Sequence, residues 1–240
     1  MSSQCAFGHS HDSPVPAVKP IVFIVDDDLS VRESLALQMK NEGWQAETFA
    51  SAQEFLARSP ATGPNCLLLD MILPVISGLE LQRLIADEWT VTPIIFITGH
   101  GDIPRTVQAL KAGAVEFLTK PLRDEVLLPA IRHALARSQS ALNHKAEFDT
   151  LRSRYESLTH REQQVMQLVV SGLPNKHIAD ELRISEITVK AHRGRVMQKM
   201  SADSLAELVK MAGRLRLGNG VRMAISSPPH VLPLQQHNLA

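Results

Sequence analysis

The stretch Ile21-Val22-Phe23-Ile24-Val25-Asp26-Asp27-Asp28 sets five apolar residues directly against three acids, and Cys66-Leu67-Leu68-Leu69-Asp70 repeats the arrangement. Unbroken apolar runs of that length read as strands buried on both faces, as in a parallel sheet. Parallel strands end at a common edge. Both sets of carboxylates should therefore meet at the C-terminal edge of one sheet, where open α/β folds hold their ligands. Clustered carboxylates repel one another unless a cation sits among them, and a divalent metal is the simplest remedy. Oxygen ligands alone favour magnesium or a close relative.

Outward from these runs, residues 20–137 alternate short apolar stretches with helix-period segments, the pattern of βαβ units in an α/β fold with a doubly wound parallel sheet. Strands are expected near 21–25, 45–49, 65–69, 93–97 and 114–118, and helices near 30–41, 51–58, 79–88, 104–112 and 123–137. Ser51-Ala52-Gln53-Glu54 has capping-box spacing, and Gly43, Gly78 and Gly113 punctuate turns. Residues 138–157 are polar and hold neither Pro nor Gly, while Phe148, Leu151, Tyr155 and Leu158 are spaced three, four and three. That suits a helical linker, either paired with a second copy or solvated.

From residue 158 to 217 the texture is all-α, with four helices. Thr159-His160-Arg161-Glu162 is a capping box opening a helix to about 170, and Gly172-Leu173-Pro174-Asn175 breaks it. Asn175 is the expected N-cap of a short helix to about 182. Arg183-Ile184-Ser185 is a turn, Ser185 caps a helix through about Met200, and a last helix runs near 203–215. Residues 1–19 and 218–240 read as disordered tails.

The 240 residues suffice for one large or two ordinary domains, and their net charge of zero hides a split. Residues 1–150 carry 12 Lys+Arg against 18 Asp+Glu, and 151–240 carry 13 against 7, leaving −6 and +6. A basic second half suggests a nucleic-acid partner. Cys5 sits in a polar tail and Cys66 in an apolar strand, so no disulfide framework is implied and a reducing cytoplasm fits. With no signal-peptide core near the start and no run of membrane-spanning length, a soluble protein with no membrane partner is expected. His9 and His11 flank a serine in the tail and read as incidental rather than metal-binding.

Two more strand ends complete the first domain. Ile94-Ile95-Phe96-Ile97 ends on Thr98-Gly99, and Val115-Glu116-Phe117-Leu118 ends on Thr119-Lys120-Pro121. One edge thus offers carboxylates, a hydroxyl and an ammonium group, which is what transfer of a phosphoryl group onto a carboxylate needs. The residues alone leave Asp70 and Asp27 both open as nucleophile. Asp26-Asp27, Asp70, Thr98 and Lys120-Pro121, in that order on strands one, three, four and five, resemble the receiver domain of two-component response regulators over about 20–137. The resemblance implies a flavodoxin-like strand order 2-1-3-4-5, with Asp70 as phosphoacceptor. It also implies Mg²⁺ held by Asp26, Asp27, Asp70 and the backbone carbonyl of Ile72. Lys120 would pair the phosphoryl group, Thr98 would close on it, and Phe117 would change rotamer. The Lys120-Pro121 peptide is usually cis in that family. Asp28 is set aside as a cap of the first helix together with Ser30. Ile72 stands where some relatives carry a polar residue and cannot orient water for self-dephosphorylation. Gly99 leaves the site open to a phosphoryl donor.

In the second domain, Leu173-Pro174-Asn175-Lys176-His177-Ile178-Ala179 and Ile184-Ser185-Glu186-Ile187-Thr188-Val189-Lys190-Ala191-His192 resemble the LuxR-type helix-turn-helix domain of the FixJ/NarL branch. One face of the helix after Ser185 carries Val189, His192, Val196 and Met200 and should pack. The other carries Lys190, Arg193, Gly194 and Met197 and can enter a major groove. The resemblance makes Lys190 and Ala191 base-facing, with Gly194 allowing close approach. Thr188 joins them among the expected DNA contacts, and Lys176, Arg193, Arg195 and Lys199 are candidates for phosphate contacts.

The expected function is that of a phosphorylation-dependent transcriptional regulator. A sensor histidine kinase would phosphorylate Asp70, and closure of Thr98 and Phe117 would reshape the face made by 104–112, 114–118 and 123–137. A homodimer would then bind promoter DNA, with RNA polymerase a candidate further partner. Two alternatives compete: a receiver that serves as a constitutive dimerisation module, and a Mg²⁺-dependent aspartyl phosphohydrolase. The latter class carries a second Asp two places after the nucleophile, where this chain has Ile72.

Overall fold

The computed structural model describes residues 19–99, 107 and 109–215. Its strands are β1 (Ile21–Val25), β2 (Gln45–Phe49), β3 (Asn65–Asp70), β4 (Ile94–Thr98) and β5 (Glu116–Thr119), all parallel, in the order β2-β1-β3-β4-β5. Val25 is in register with Phe49 and Leu69, Asp70 with Ile97, and Thr98 with Thr119. Asp26, Asp70, Thr98 and Lys120 therefore leave the sheet at one edge.

Side chains alternate across a strand, and here the alternation sorts two cores. Val22, Ile24, Cys66, Leu68, Ile95, Ile97 and Leu118 pack on one face with Leu35 and Met39 of α1 (Leu29–Asn41) and with Leu127, Ile131 and Leu135 of α4 (Asp124–Glu156). Phe23, Val25, Leu67, Leu69 and Phe96 pack on the other with Phe55 of α2 (Ala52–Leu56), Leu81 of α3 (Gly78–Leu84), and Trp89. Burial pushes up the pKa of the Cys66 thiol, which is free, while Cys5 and the paired tail histidines lie outside the described residues.

Several boundaries differ from expectation. β5 starts at Glu116 rather than 114, and α3 ends at Leu84, four residues early, in a run of turns. Of the helix expected at 104–112, residues 107 and 109–111 are helical, 112 is a turn, and 104–106 and 108 fall outside the described residues, as do 1–18 and 218–240 of the expected tails. At Ser51 only half of the capping box forms: Ser51 Oγ accepts from the Glu54 N–H, but the Glu54 carboxylate accepts from the Ala50 N–H at 2.8 Å. Gly43 and Gly113 have φ of +81° and +95°, so these turns use the freedom of glycine.

The contacts of the chain divide it into two units after His144. In the second, α5 (His160–Val170), α6 (Asn175–Leu182), α7 (Glu186–Met200) and α8 (Leu205–Arg214) share a core of Val165, Met166, Val169, Ile178, Val189, Val196, Met200 and Leu208. Leu151 and Leu158 are buried in that core and Tyr155 packs against it, whereas Phe148 stays 38 % exposed. Leu151, Tyr155 and Leu158 thus form an inward stripe of α4 and the turn after it against their own unit, and Phe148 stands outside that stripe. Among the described residues no helix is long and apolar enough to cross a membrane.

Candidate functional site

At the C-terminal edge of the sheet, Asp26 and Asp70 are buried, 1 % and 6 % exposed, while Asp27 faces solvent. One oxygen from each lies within 4.8 Å of the others. Lys120 Nζ bridges the buried pair, donating to Asp26 Oδ2 at 2.8 Å and Asp70 Oδ2 at 2.7 Å. The Lys120-Pro121 peptide is cis. Burial pulls the pKa of the ammonium down, but its hydrogen bonds to Asp26 and Asp70 and their charges more than offset this, so the net direction is up. The second oxygens are also held: Asp26 Oδ1 accepts from the Asp28 N–H and Asp70 Oδ1 from the Ile72 N–H, each at 2.9 Å.

Asp28 caps α1, accepting from the Ser30 N–H at 2.8 Å. Thr98 is 1 % exposed at the end of β4, and Phe117 lies half-buried against the core that holds Phe96. Ile72 is 56 % exposed beside Asp70, and among the described residues a Cβ on Gly99 would meet nothing within 4 Å. The oxygen-only donor set, with the accessible Asp27 beside two buried carboxylates, fits a hard divalent cation such as Mg²⁺.

Two contributors went unforeseen. Arg32 Nη1 donates to the carbonyls of Asp26 at 2.7 Å and Asp27 at 3.0 Å, tying α1 to the acidic loop. Gly78 opens α3 where any Cβ would lie 2.4 Å from the Asp70 carbonyl oxygen, so only glycine lets the helix start against the end of β3. The glycine was visible in the sequence; its reason, a close approach rather than a turn, was not.

The second unit presents α7 after Ser185, whose Oγ accepts from the Thr188 N–H at 3.1 Å and lies 2.8 Å from the Thr188 hydroxyl. Lys176, Lys190, Ala191, Gly194 and Arg195 are exposed, and Val189, Val196 and Met200 are buried. His192 is partly buried, its Nδ1 without a hydrogen-bond partner among the described residues. Two expectations need correcting, the cap of α6 and the face of Met197, and two cations expected at phosphates also have partners within the unit. Asn175 is the first residue of α6 rather than its cap, which is Pro174 in an extended conformation; its Oδ1 instead accepts from Arg193 Nη1 at 2.6 Å. Arg193 is therefore turned onto α6 rather than outward. Met197, placed with the groove-facing residues, packs on the core. Lys199 pairs with the buried Glu162 at 2.7 Å and donates to the Ser157 carbonyl at 3.1 Å. A chain of aliphatic carbons lets each cation reach a partner that linear spacing does not reveal.

Residues 22–132 match the family profile described as response regulator receiver domain, and 156–212 match that of bacterial regulatory proteins of the luxR family. Nodulation protein W of Bradyrhizobium diazoefficiens is 47 % identical over 208 residues, covering 87 % of this chain and 90 % of that protein. Transcriptional regulatory protein FixJ of Rhizobium meliloti is 44 % identical over 191 residues, covering 80 % and 94 %. The solved structure of the response regulator StyR is 47 % identical and superposes with a TM-score of 0.73, covering 82 % of this chain and 100 % of that one.

Proposed function

The chain belongs to the response regulators, with a receiver domain followed by a LuxR-type DNA-binding domain that marks it as a regulator of transcription, and from that premise we propose that phosphorylation of Asp70 controls its binding to promoter DNA. The observation that carries the reading is the Lys120 ammonium bridging Asp26 and Asp70 within a cluster of three carboxylates. An Asp70 oxygen attacks the phosphorus of a phosphohistidine on a partner kinase. The new bond is O–P, the broken one is P–N, and the imidazole leaves. Lys120 is placed to pair the incoming phosphoryl oxygens, and Asp26 keeps the ammonium aimed at Asp70. A magnesium ion held by Asp26, Asp27, Asp70 and the Ile72 carbonyl would supply neutralising charge for the same oxygens.

In this reading Thr98 closes on the phosphoryl group, Phe117 follows it, and two receivers associate. The receiver spans 20–137, the linker 138–157 and the DNA-binding domain 158–217. Dimerisation holds two α7 helices on paired half-sites, so the second binds at high effective concentration. The contacts are drawn from Lys176, Thr188, Lys190, Ala191, Gly194 and Arg195, with Arg193 and Lys199 acting through α6 and Glu162. The test is a sizing column with Mg²⁺ and acetyl phosphate. The wild-type chain should shift to the dimer and Asp70→Asn should not; an equal shift in both would place the switch elsewhere.

A further inference from the structure

The first turn of α7 carries Ile187 with 80 % of its surface exposed. By the helical period it lies opposite the inward stripe of Val189, Val196 and Met200, which are at most 1 % exposed, so it faces away from the core formed by the described residues of its unit. At three, four and seven residues further on come Lys190, Ala191 and Gly194, all exposed. Among the described residues, a Cβ on Gly194 would meet nothing within 4 Å. One bulky apolar side chain, one cation and two small residues make a face on which the helix backbone can approach a partner closely. The same unit carries the exposed cations Lys176, Lys190 and Arg195 on α6 and α7 and a net +6 over 151–240, so the complementary partner is polyanionic. In a helix-turn-helix the N-terminal residues of the second helix are those that reach base edges. The major-groove floor there offers one methyl group, the C5-methyl of thymine.

We propose that Ile187 is a specificity-determining residue that packs on a thymine methyl in the major groove. The inference rests on the DNA-binding reading above. The full-length chain, with Mg²⁺ and beryllofluoride, is used to enrich duplexes from a randomised library, and Ile187→Ala is carried through in parallel. Since Ile187 touches no core, the variant keeps its fold, checked by its unfolding midpoint. The wild type should enrich thymine at one position per half-site that the variant does not. Replacing that thymine by deoxyuridine, which deletes only the methyl, should weaken the wild type about fourfold and the variant hardly at all. The salt dependence of binding should be the same for both, because no phosphate contact is lost. Identical enriched sequences, or equal sensitivity of both proteins to deoxyuridine, would overturn the assignment. A changed sizing-column mass with unchanged sequence preference would also overturn it, assigning Ile187 to a protein interface. A wild-type chain that enriches nothing overturns the DNA-binding reading and this inference together.

Discussion

Val75 sits in the loop after Asp70 with φ of +69° and 90 % exposure, an unusual pairing of a β-branched side chain with the left-handed region. An L-residue there costs about 1–2 kcal/mol. Glycine removes that cost but gives the unfolded chain extra freedom worth about 0.4–1 kcal/mol. The difference favours glycine, since so exposed a valine forfeits little buried surface. Val75→Gly should raise stability by about 0.5–1 kcal/mol, read as a higher urea midpoint; a lower midpoint would mean the loop conformation is not what costs. Asp27 makes a second case. Being exposed beside two buried carboxylates, it can be neutralised without disturbing the core. At a hundredfold excess of Mg²⁺ over its Kd the wild type should gain about 2.7 kcal/mol. Asp27→Asn should match the wild type without metal and lose most of that gain, measured by thermal unfolding across a Mg²⁺ titration. A full gain in the variant would remove Asp27 from the metal site.

At the level of the element, α5 is held at its start by a complete capping box. Thr159 Oγ1 accepts from the Glu162 N–H, and the Glu162 carboxylate accepts from the Thr159 N–H at 2.9 Å. The same carboxylate receives Lys199 from the last turn of α7. The Lys199 hydrogen bond first, then the Thr159 N–H, hold the Glu162 carboxyl below its ordinary range. The unfolded chain takes up that proton more readily than the folded one, so the contribution of Glu162 is present above about pH 4.5 and lost as pH falls through the depressed folded value. Glu162→Gln should therefore unfold more easily than wild type at neutral pH, with the gap closing as pH falls from about 4.5 through the depressed folded value. A gap independent of pH would assign the loss to packing alone. For α4, burial distinguishes two uses of one periodicity. Leu151→Ala should cost about 2–5 kcal/mol in unfolding of the second unit. Phe148→Ala should cost under about 1 kcal/mol. The reverse ranking, with Phe148→Ala weakening self-association, would make the linker a pairing surface for a second copy.

Across the whole molecule, legibility followed range along the chain. Strand count and type were readable because a buried parallel strand needs an unbroken apolar run, and the acids that end those runs are adjacent to them in sequence. Ser185, Thr159 and Asp28 were readable as caps because a cap and the amide it binds are two or three residues apart. The spacing of 148, 151, 155 and 158 was readable as one helical face, but what that face meets was not, since period reports a stripe and not its partner. What remained was decided only by the fold. Lys120 reaches Asp70 and Asp26 across 50 and 94 residues, Lys199 reaches Glu162 across 37, and Arg193 reaches Asn175 across 18. Local sequence thus determined the elements and the side chains gathered at the sheet edge and on α7. Tertiary structure chose among those side chains: which cation serves the acidic site, which are spent holding helices together, and which, like Ile187, are left facing outward. The reason is physical, since apolar periodicity is written residue by residue, whereas an ion pair exists only once two distant elements have packed.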